Sequence, residues 1–316
     1  MKLNGLNRVL VLALAAVVAM TSFTGDAQAR KRSAAKRAAA ARVAASAPKV
    51  ASASATPATS ATKATNPNEK TLTKGGTTVT IVRYDSPAYY KVSKSEAGYS
   101  SGYCDNSFAI DWPTATTTGN ITQLQQWMLK TVGNSDNPVK TVSALIKQRN
   151  KCEYSSARKV KKMPQRDDDT PLSDKADITV KLLTDNVVEI AQGYEAYYGG
   201  GTGASFMYGT AFYYYDLRNG RALETADLFT PQVANAIVQQ LRQDPDGVWD
   251  SLWDDFKENP HVPDNFCITA DKVVFIYGKY EIAAGYAGNV EAEVPIEQVL
   301  PYATPLLKSI VAAMNN

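Results

Sequence analysis

Histidine is almost absent from this 316-residue chain, which has His261 alone, in the turn-like run Asn259-Pro260-His261-Val262-Pro263. A catalytic triad and a multi-histidine metal site are therefore poorly supported, and His261 reads as a surface-loop residue. Cysteine is scarce as well. Three cysteines allow at most one internal bridge and one odd thiol. Cys104 and Cys152 lie in polar, turn-like contexts and Cys267 at the start of an apolar strand. The expected disulfide is Cys104–Cys152, with Cys267 a buried small hydrophobe. No cysteine spacing suits zinc, and neither a metal nor a cofactor is expected.

Long apolar runs are missing too. Val9–Met20 falls short of the roughly 20 residues that a comfortable membrane span needs. It follows Lys2 and Arg8 and precedes Ala27-Gln28-Ala29, so residues 1–29 read as a cleavable export signal. The mature chain is expected to begin near Arg30, without a lipid anchor or transmembrane segment, as a monomer in the periplasm or outside the cell.

Residues 30–75 lack aromatic side chains and contain a single acid, Glu69. Alanine, serine, threonine and basic residues bury too little apolar surface to offset chain entropy, so this stretch reads as a disordered linker. It carries ten Lys/Arg against one acid, +9, whereas residues 76–316 carry 22 Lys/Arg against 29 Asp/Glu, −7. The formal +3 of the whole chain thus joins an acidic folded part to a basic leash. An exported, acidic domain argues against nucleic acid as a partner.

The remainder is long enough for one large domain or two smaller ones sharing a sheet; the expected subdomains are 76–170 and 171–316, the second denser in strands. β-Branched alternation predicts a strand over Thr77–Tyr84, and a second covers Phe108–Pro113, ended by the proline. Leu124, Trp127, Met128 and Val132 at helical spacing predict a helix over Ile121–Val132 with Asn120 as its cap. Another helix is expected over Val139–Arg149, then an exposed loop over Lys161–Ser173. Asp177–Leu183 and Val187–Tyr197 read as a hairpin, followed by a strand over Met207–Leu217 and the Asn219-Gly220 turn. Thr225–Phe229 opens a capped helix before Pro231–Arg242. Val248–Lys257 places Val248, Leu252 and Phe256 on one side of a short amphipathic helix. Three closing strands (Phe266–Ile268, Lys272–Tyr277, Val290–Pro295) precede a final helix over Ile296–Ala313. Strands and helices in blocks with short links predict an α+β fold, its sheet largely antiparallel with helices packed on one face.

Chemical motifs are weak. Ser156-Ala157-Arg158-Lys159 has serine–lysine spacing in a polar, basic segment, and Ser33–Lys36 and Ser46–Lys49 match it inside the linker. Asp167-Asp168-Asp169 lacks calcium-loop spacing and reads as a solvated loop. Asp250, Asp254 and Asp255 fit the polar side of a helix. Nothing distinguishes a glycosidase carboxylate pair among the acids. Gly199-Gly200-Gly201-Thr202-Gly203 permits unusual backbone angles, but an aromatic strand follows it, not the Gly-Lys-Ser/Thr helix start of a phosphate loop. Phe206, Tyr208, Phe212, Tyr213, Tyr214 and Tyr215 put rings on both faces of that strand. One face must be core, and the other is either buried or an exposed tyrosine platform.

The segments Tyr194–Phe229 and Phe275–Leu300 resemble the extracytoplasmic domain of unknown function found in RsiV-like anti-sigma factors, in the C-terminal part of a peptidoglycan-deacetylase family and in secreted Bacteroidetes-type proteins. Tyr277-Gly278-Lys279-Tyr280-Glu281-Ile282-Ala283 carries its Tyr-x-x-Tyr-Glu-Ile-Ala signature, and Ile110-Asp111-Trp112-Pro113 matches the companion N-terminal region more loosely. The family's Gly-Gly-Ala-His aligns with Thr202-Gly203-Ala204-Ser205, with Thr202 in place of a glycine and Ser205 in place of the histidine. Ala284-Gly285-Tyr286 departs from its usual Pro-Tyr. The resemblance implies an exported α+β domain, one lineage of which binds lysozyme. Glu281, in an apolar setting, should be paired or hydrogen-bonded. The expected function is non-enzymatic binding of an envelope protein, lysozyme-like enzymes included, or of a cell-wall glycan. The alternative is an envelope hydrolase with unidentified carboxylates. Candidate ligand contacts are Gly199, Gly200, Gly201, Gly203, Ser205, Phe206 and Tyr208.

Overall fold

Strand formation starts earlier than composition suggests. In the computed structural model, which describes residues 68–97, 102–133, 136–163, 171–198 and 206–315, β1 (Glu69–Lys74) pairs along its length with β2 (Thr77–Ser86) across Gly75-Gly76. The linker expected to reach residue 75 therefore ends earlier, because β2 supplies the ladder that the polar side chains of β1 do not forecast. The signal segment 1–29, the rest of the linker, Asp167–Asp169 and Gly199–Ser205 lie outside the described residues.

β3 (Tyr89–Lys91), α1 (Lys94–Ala97) and β4 (Tyr103–Asp105) lead into β5 (Phe108–Thr116), which pairs antiparallel with β2. β5 does not stop at Pro113. The proline faces Ile81 at a register shift, where the ladder is already interrupted and a missing N–H costs little. After β6 (Arg158–Val160), β7 (Leu172–Leu182) runs parallel to β4 and β5 and antiparallel to β8 (Val187–Tyr197). β9 (Phe206–Asp216) and β10 (Arg221–Leu223) follow in antiparallel order. Among the described residues these ten strands form one mostly antiparallel sheet, and its ladder crosses residue 170. β11 (Asn265–Ile268), β12 (Lys272–Tyr277) and β13 (Val290–Pro295) make a second, antiparallel sheet.

Two cores lie on opposite faces of the large sheet. On one, α2 (Ile121–Val132) and α3 (Val142–Arg149) cover Phe108, Ile110, Ile178, Val188, Ile190 and Tyr215. Leu124 and Met128 of α2 are wholly buried there, each contributing roughly 1.5–3 kcal/mol. Asn120 caps α2 as expected, its Oδ1 accepting the N–H groups of Thr122 (2.9 Å) and Gln123 (3.3 Å). On the other face, Val187, Tyr214 and Leu223 meet Phe266 and Phe275 of the small sheet. α4 (Thr225–Leu228), α5 (Val233–Gln243) and α9 (Pro305–Met314) close this second core.

Two expected helices are broken. Val248–Lys257 divides into α6 (Val248–Ser251) and α7 (Asp254–Glu258), because Leu252 bridges to Ala283 and the Trp253 N–H donates to the Ile282 carbonyl at 2.9 Å. The expected final helix divides into α8 (Ile296–Val299), a 3-10 turn over Leu300–Tyr302 and α9, since Pro301 and Pro305 each lack the N–H that a continuous helix needs.

Candidate functional site

The aromatic strand changes character along its length, not simply from face to face. Tyr214 and Tyr215, on opposite faces of β9, are both buried, whereas Tyr208 near the start of the strand is 53% exposed. Phe206 links the exposed end to β8, with ring centroids 6.2 Å from Tyr197 and 5.4 Å from Tyr208.

Side chains from the region after β12 bind the free edge of β9 here. Lys279 Nζ donates to the Phe206 carbonyl at 3.0 Å and stands 5.7 Å from the centre of the Tyr280 ring. Asn289 Oδ1 accepts the Lys279 N–H at 3.1 Å while its Nδ2 donates to the Tyr208 carbonyl at 3.1 Å. Farther along, Asn265 donates to the Thr210 carbonyl and accepts the Phe212 N–H, each at 2.9 Å. These side chains occupy edge groups that would otherwise be open to a further strand. Gly209 makes room: a Cβ there would stand 2.7 Å from Asn289 Nδ2.

Residues 278–281 form a tight turn in which the Glu281 N–H donates to the Gly278 carbonyl at 2.9 Å. Glu281 Oε2 accepts the Gly278 N–H at 2.7 Å, and Oε1 lies 3.5 Å from His261 Nε2. Glu281 is thus hydrogen-bonded, as its setting required. His261 is more than a loop residue, because its ring packs edge-on against Phe256 and Tyr277 and its carbonyl accepts the Tyr277 hydroxyl at 2.6 Å. The hydrogen bond to Glu281 raises the His261 pKa, burial opposing it.

Tyr280 sits at φ +69, the one non-glycine residue with positive φ among those described. Such backbone costs on the order of 1–3 kcal/mol and persists only where the surroundings impose it. Its ring fills the space over Gly285, where an added Cβ would come within 2.0 Å of Tyr280 Cζ. The result is a ring 40% exposed, with Tyr286 (71%) beyond it and Trp253 (44%) emerging where its N–H meets Ile282. Tyr208, Trp253, Tyr280 and Tyr286 thus come from three chain segments tied together by hydrogen bonds, Asn289 and Lys279 reaching the Tyr208 and Phe206 carbonyls and the Trp253 N–H reaching Ile282. Of the predicted contacts, Phe206 and Tyr208 fall in this site. Lys279, Tyr280, Tyr286, Asn289 and Trp253 carried only their aromatic or family signal in the sequence.

The other motifs are spent on structure. Ser156 hydrogen-bonds Glu96 and receives the Ser93 N–H, and Lys159 lies on the strand β6, so the serine–lysine spacing is not carried on a helix. Hydrogen bonds from Ser155 and Ser156 pull the Glu96 carboxyl down to about 2. Asp111 is buried and held by Lys70 Nζ (2.7 Å), Arg83 Nη1 (3.5 Å) and the Val180 N–H (3.2 Å), a clamp joining β1, β2, β5 and β7. The expected disulfide is absent. Cys104 and Cys152 pack together beside Tyr90 and Tyr154 but remain free thiols, and Cys104 Sγ donates to Asn106 Oδ1 at 2.8 Å. Burial, then the neighbouring Cys152, push the Cys104 thiol up. Cys267 is only half-buried, and burial pushes it up to about 12. Among the described residues no group of three or more His, Cys, Asp or Glu could hold a metal ion. Among them, too, no helix is long and apolar enough to cross a membrane.

Residues 226–297 match the family model of DUF3298, a protein family of unknown function. The matched segment runs from α4 through β13 and includes Trp253, the Tyr280 turn, Tyr286 and Asn289. A crystal structure of a DUF3298 family member from Bacteroides fragilis is similar at 16% identity and a TM-score of 0.51, over 73% of this chain and 97% of that one. A DUF3298 family protein from Pseudomonas aeruginosa is similar at 16% identity and a TM-score of 0.44, over 72% and 96%. The first shares the fold. No curated protein matches the chain.

Proposed function

We propose that this chain is an exported, non-enzymatic binding module that recognises a cell-wall glycan through the ridge of Tyr208, Trp253, Tyr280 and Tyr286. The observation that carries this reading is the strained Tyr280, held outward by the Glu281 turn and Gly285 while Lys279 and Asn289 reach the Phe206 and Tyr208 carbonyls. A sugar ring offers apolar C–H faces edged by hydroxyls, and rings alternating with hydrogen-bonding groups complement it. A protein interface is more apolar at its centre. The resemblance to the RsiV-like and deacetylase-associated domains, together with the N-terminal signal, supports a periplasmic or secreted setting.

Calorimetric titration of the full chain with soluble peptidoglycan fragments tests this. Binding should weaken at least tenfold on Tyr208→Ala, with the thermal midpoint unchanged. Absence of binding by the parent chain would sink the reading, and release of new reducing ends would favour the hydrolase alternative.

A further inference from the structure

Lys91 lies directly opposite Arg158 where β3 pairs with β6, the outermost strand of the large sheet. Like charges facing across a strand pair are destabilising. The pair belongs to a larger group: Lys91, Lys94, Lys151, Arg158, Lys159, Lys161 and Lys162 are all exposed. Among the described residues none of these side chains forms an ion pair or a hydrogen bond. Several cations elsewhere are paired, as at Lys70–Asp111, Lys175–Glu195 and Arg221–Asp227. From residue 140 to 162 the chain has eight Lys/Arg and one acid, Glu153, although residues 76–316 as a whole stand at −7. The nearby Glu96 is committed to Ser155 and Ser156.

We propose that this β3–β6 edge is a docking surface for a linear anionic glycan, distinct from the aromatic ridge. Six of the seven cations are lysines, mobile point charges that follow a polymer without demanding one geometry. Side chains alternate along a strand, so Arg158 and Lys159 project from opposite faces and the charge wraps around the edge. A polymer chain can follow that contour, whereas a flat bilayer meets one side of it. The rings of this edge, Tyr89 and Tyr90, are half-buried, and the Tyr90 hydroxyl is held by the Asn150 carbonyl at 2.6 Å, which leaves no platform for stacking bases.

Lysines also guard exposed edge strands against aggregation, and a charge reversal separates the two roles because glutamate, too, keeps an edge charged. Binding of the full chain to polygalacturonate at low salt is compared with the K159E/K161E/K162E variant. The variant should bind at least tenfold more weakly, with a shallower dependence on salt, as fewer counterions are released. The basic leash is common to both proteins and cancels. Lys91→Glu should also weaken binding while keeping or raising the thermal midpoint, since it turns a repulsive pair into an attractive one. Equal affinity of parent and variants would overturn the proposal. Tighter binding of a charge-matched oligonucleotide or of phosphatidylglycerol vesicles would overturn the glycan assignment.

Discussion

Glu281 holds His261 across 3.5 Å, and the same carboxylate closes the turn that presents Tyr280. Because His261 is the only histidine, a single imidazole resonance reports the state of this turn. Glu281 raises its pKa first, and Asp264 and Asp255 add to the field. A raised histidine stabilises the fold fully below its unfolded pKa of about 6.5 and loses that contribution as pH rises through the folded value. The expected NMR midpoint lies above 6.5, and Glu281→Gln should bring it down. Both side chains are partly exposed, so the stability change should stay below about 1 kcal/mol. A midpoint unmoved by Glu281→Gln would show that the pair does not form.

Tyr280 allows strain and binding to be separated. Tyr280→Gly removes the ring and relieves the positive φ, so the thermal midpoint should hold or rise by the equivalent of about 1 kcal/mol while glycan binding is lost. A large loss of stability would mean instead that the ring is a packing element.

Glu189 is buried between the large sheet and β11, and its Oε2 has no hydrogen-bond partner. Burial raises its pKa, with Lys181 and a hydrogen bond involving Tyr214 acting the other way. Burial favours the protonated carboxyl more in the folded chain than in the unfolded one, so stability is greatest below the unfolded pKa and falls as pH rises toward the folded value. Glu189→Gln should therefore raise the thermal midpoint at pH 8 more than at pH 5. Denaturation scans at the two pH values check this, and an equal effect at both would contradict the titration.

Free thiols predict a specific labelling pattern. Alkylation of the unreduced, unfolded chain should modify Cys104, Cys152 and Cys267 alike. In the native protein Cys104 should react slowest, because it is 3% exposed and its thiolate is disfavoured by burial. A linked Cys104–Cys152 peptide in the unreduced digest would contradict the free-thiol state.

What was legible in the sequence was local or periodic. Asn120 announces α2 because a cap satisfies N–H groups two and three residues ahead. The β7–β8 hairpin follows from two alternating runs around Thr184–Asn186, whose hydrogen bonds are also local. Pro301 and Pro305 carried the signal that splits the last helix. The Val248–Lys257 helix, by contrast, satisfied its own periodicity and was overridden by Ala283, some thirty positions away.

The candidate site divides in the same way. Composition and patterning alone determined the α+β class, the split between basic leash and acidic domain, and an aromatic strand with two ring-bearing faces. Only the tertiary structure decided where those rings face solvent. Tyr208 and Tyr280 are joined through Asn289 and Lys279, which bond to β9 carbonyls across more than seventy residues. Such partners follow no local period, since each is chosen by which unpaired edge group the folded chain brings within hydrogen-bond reach.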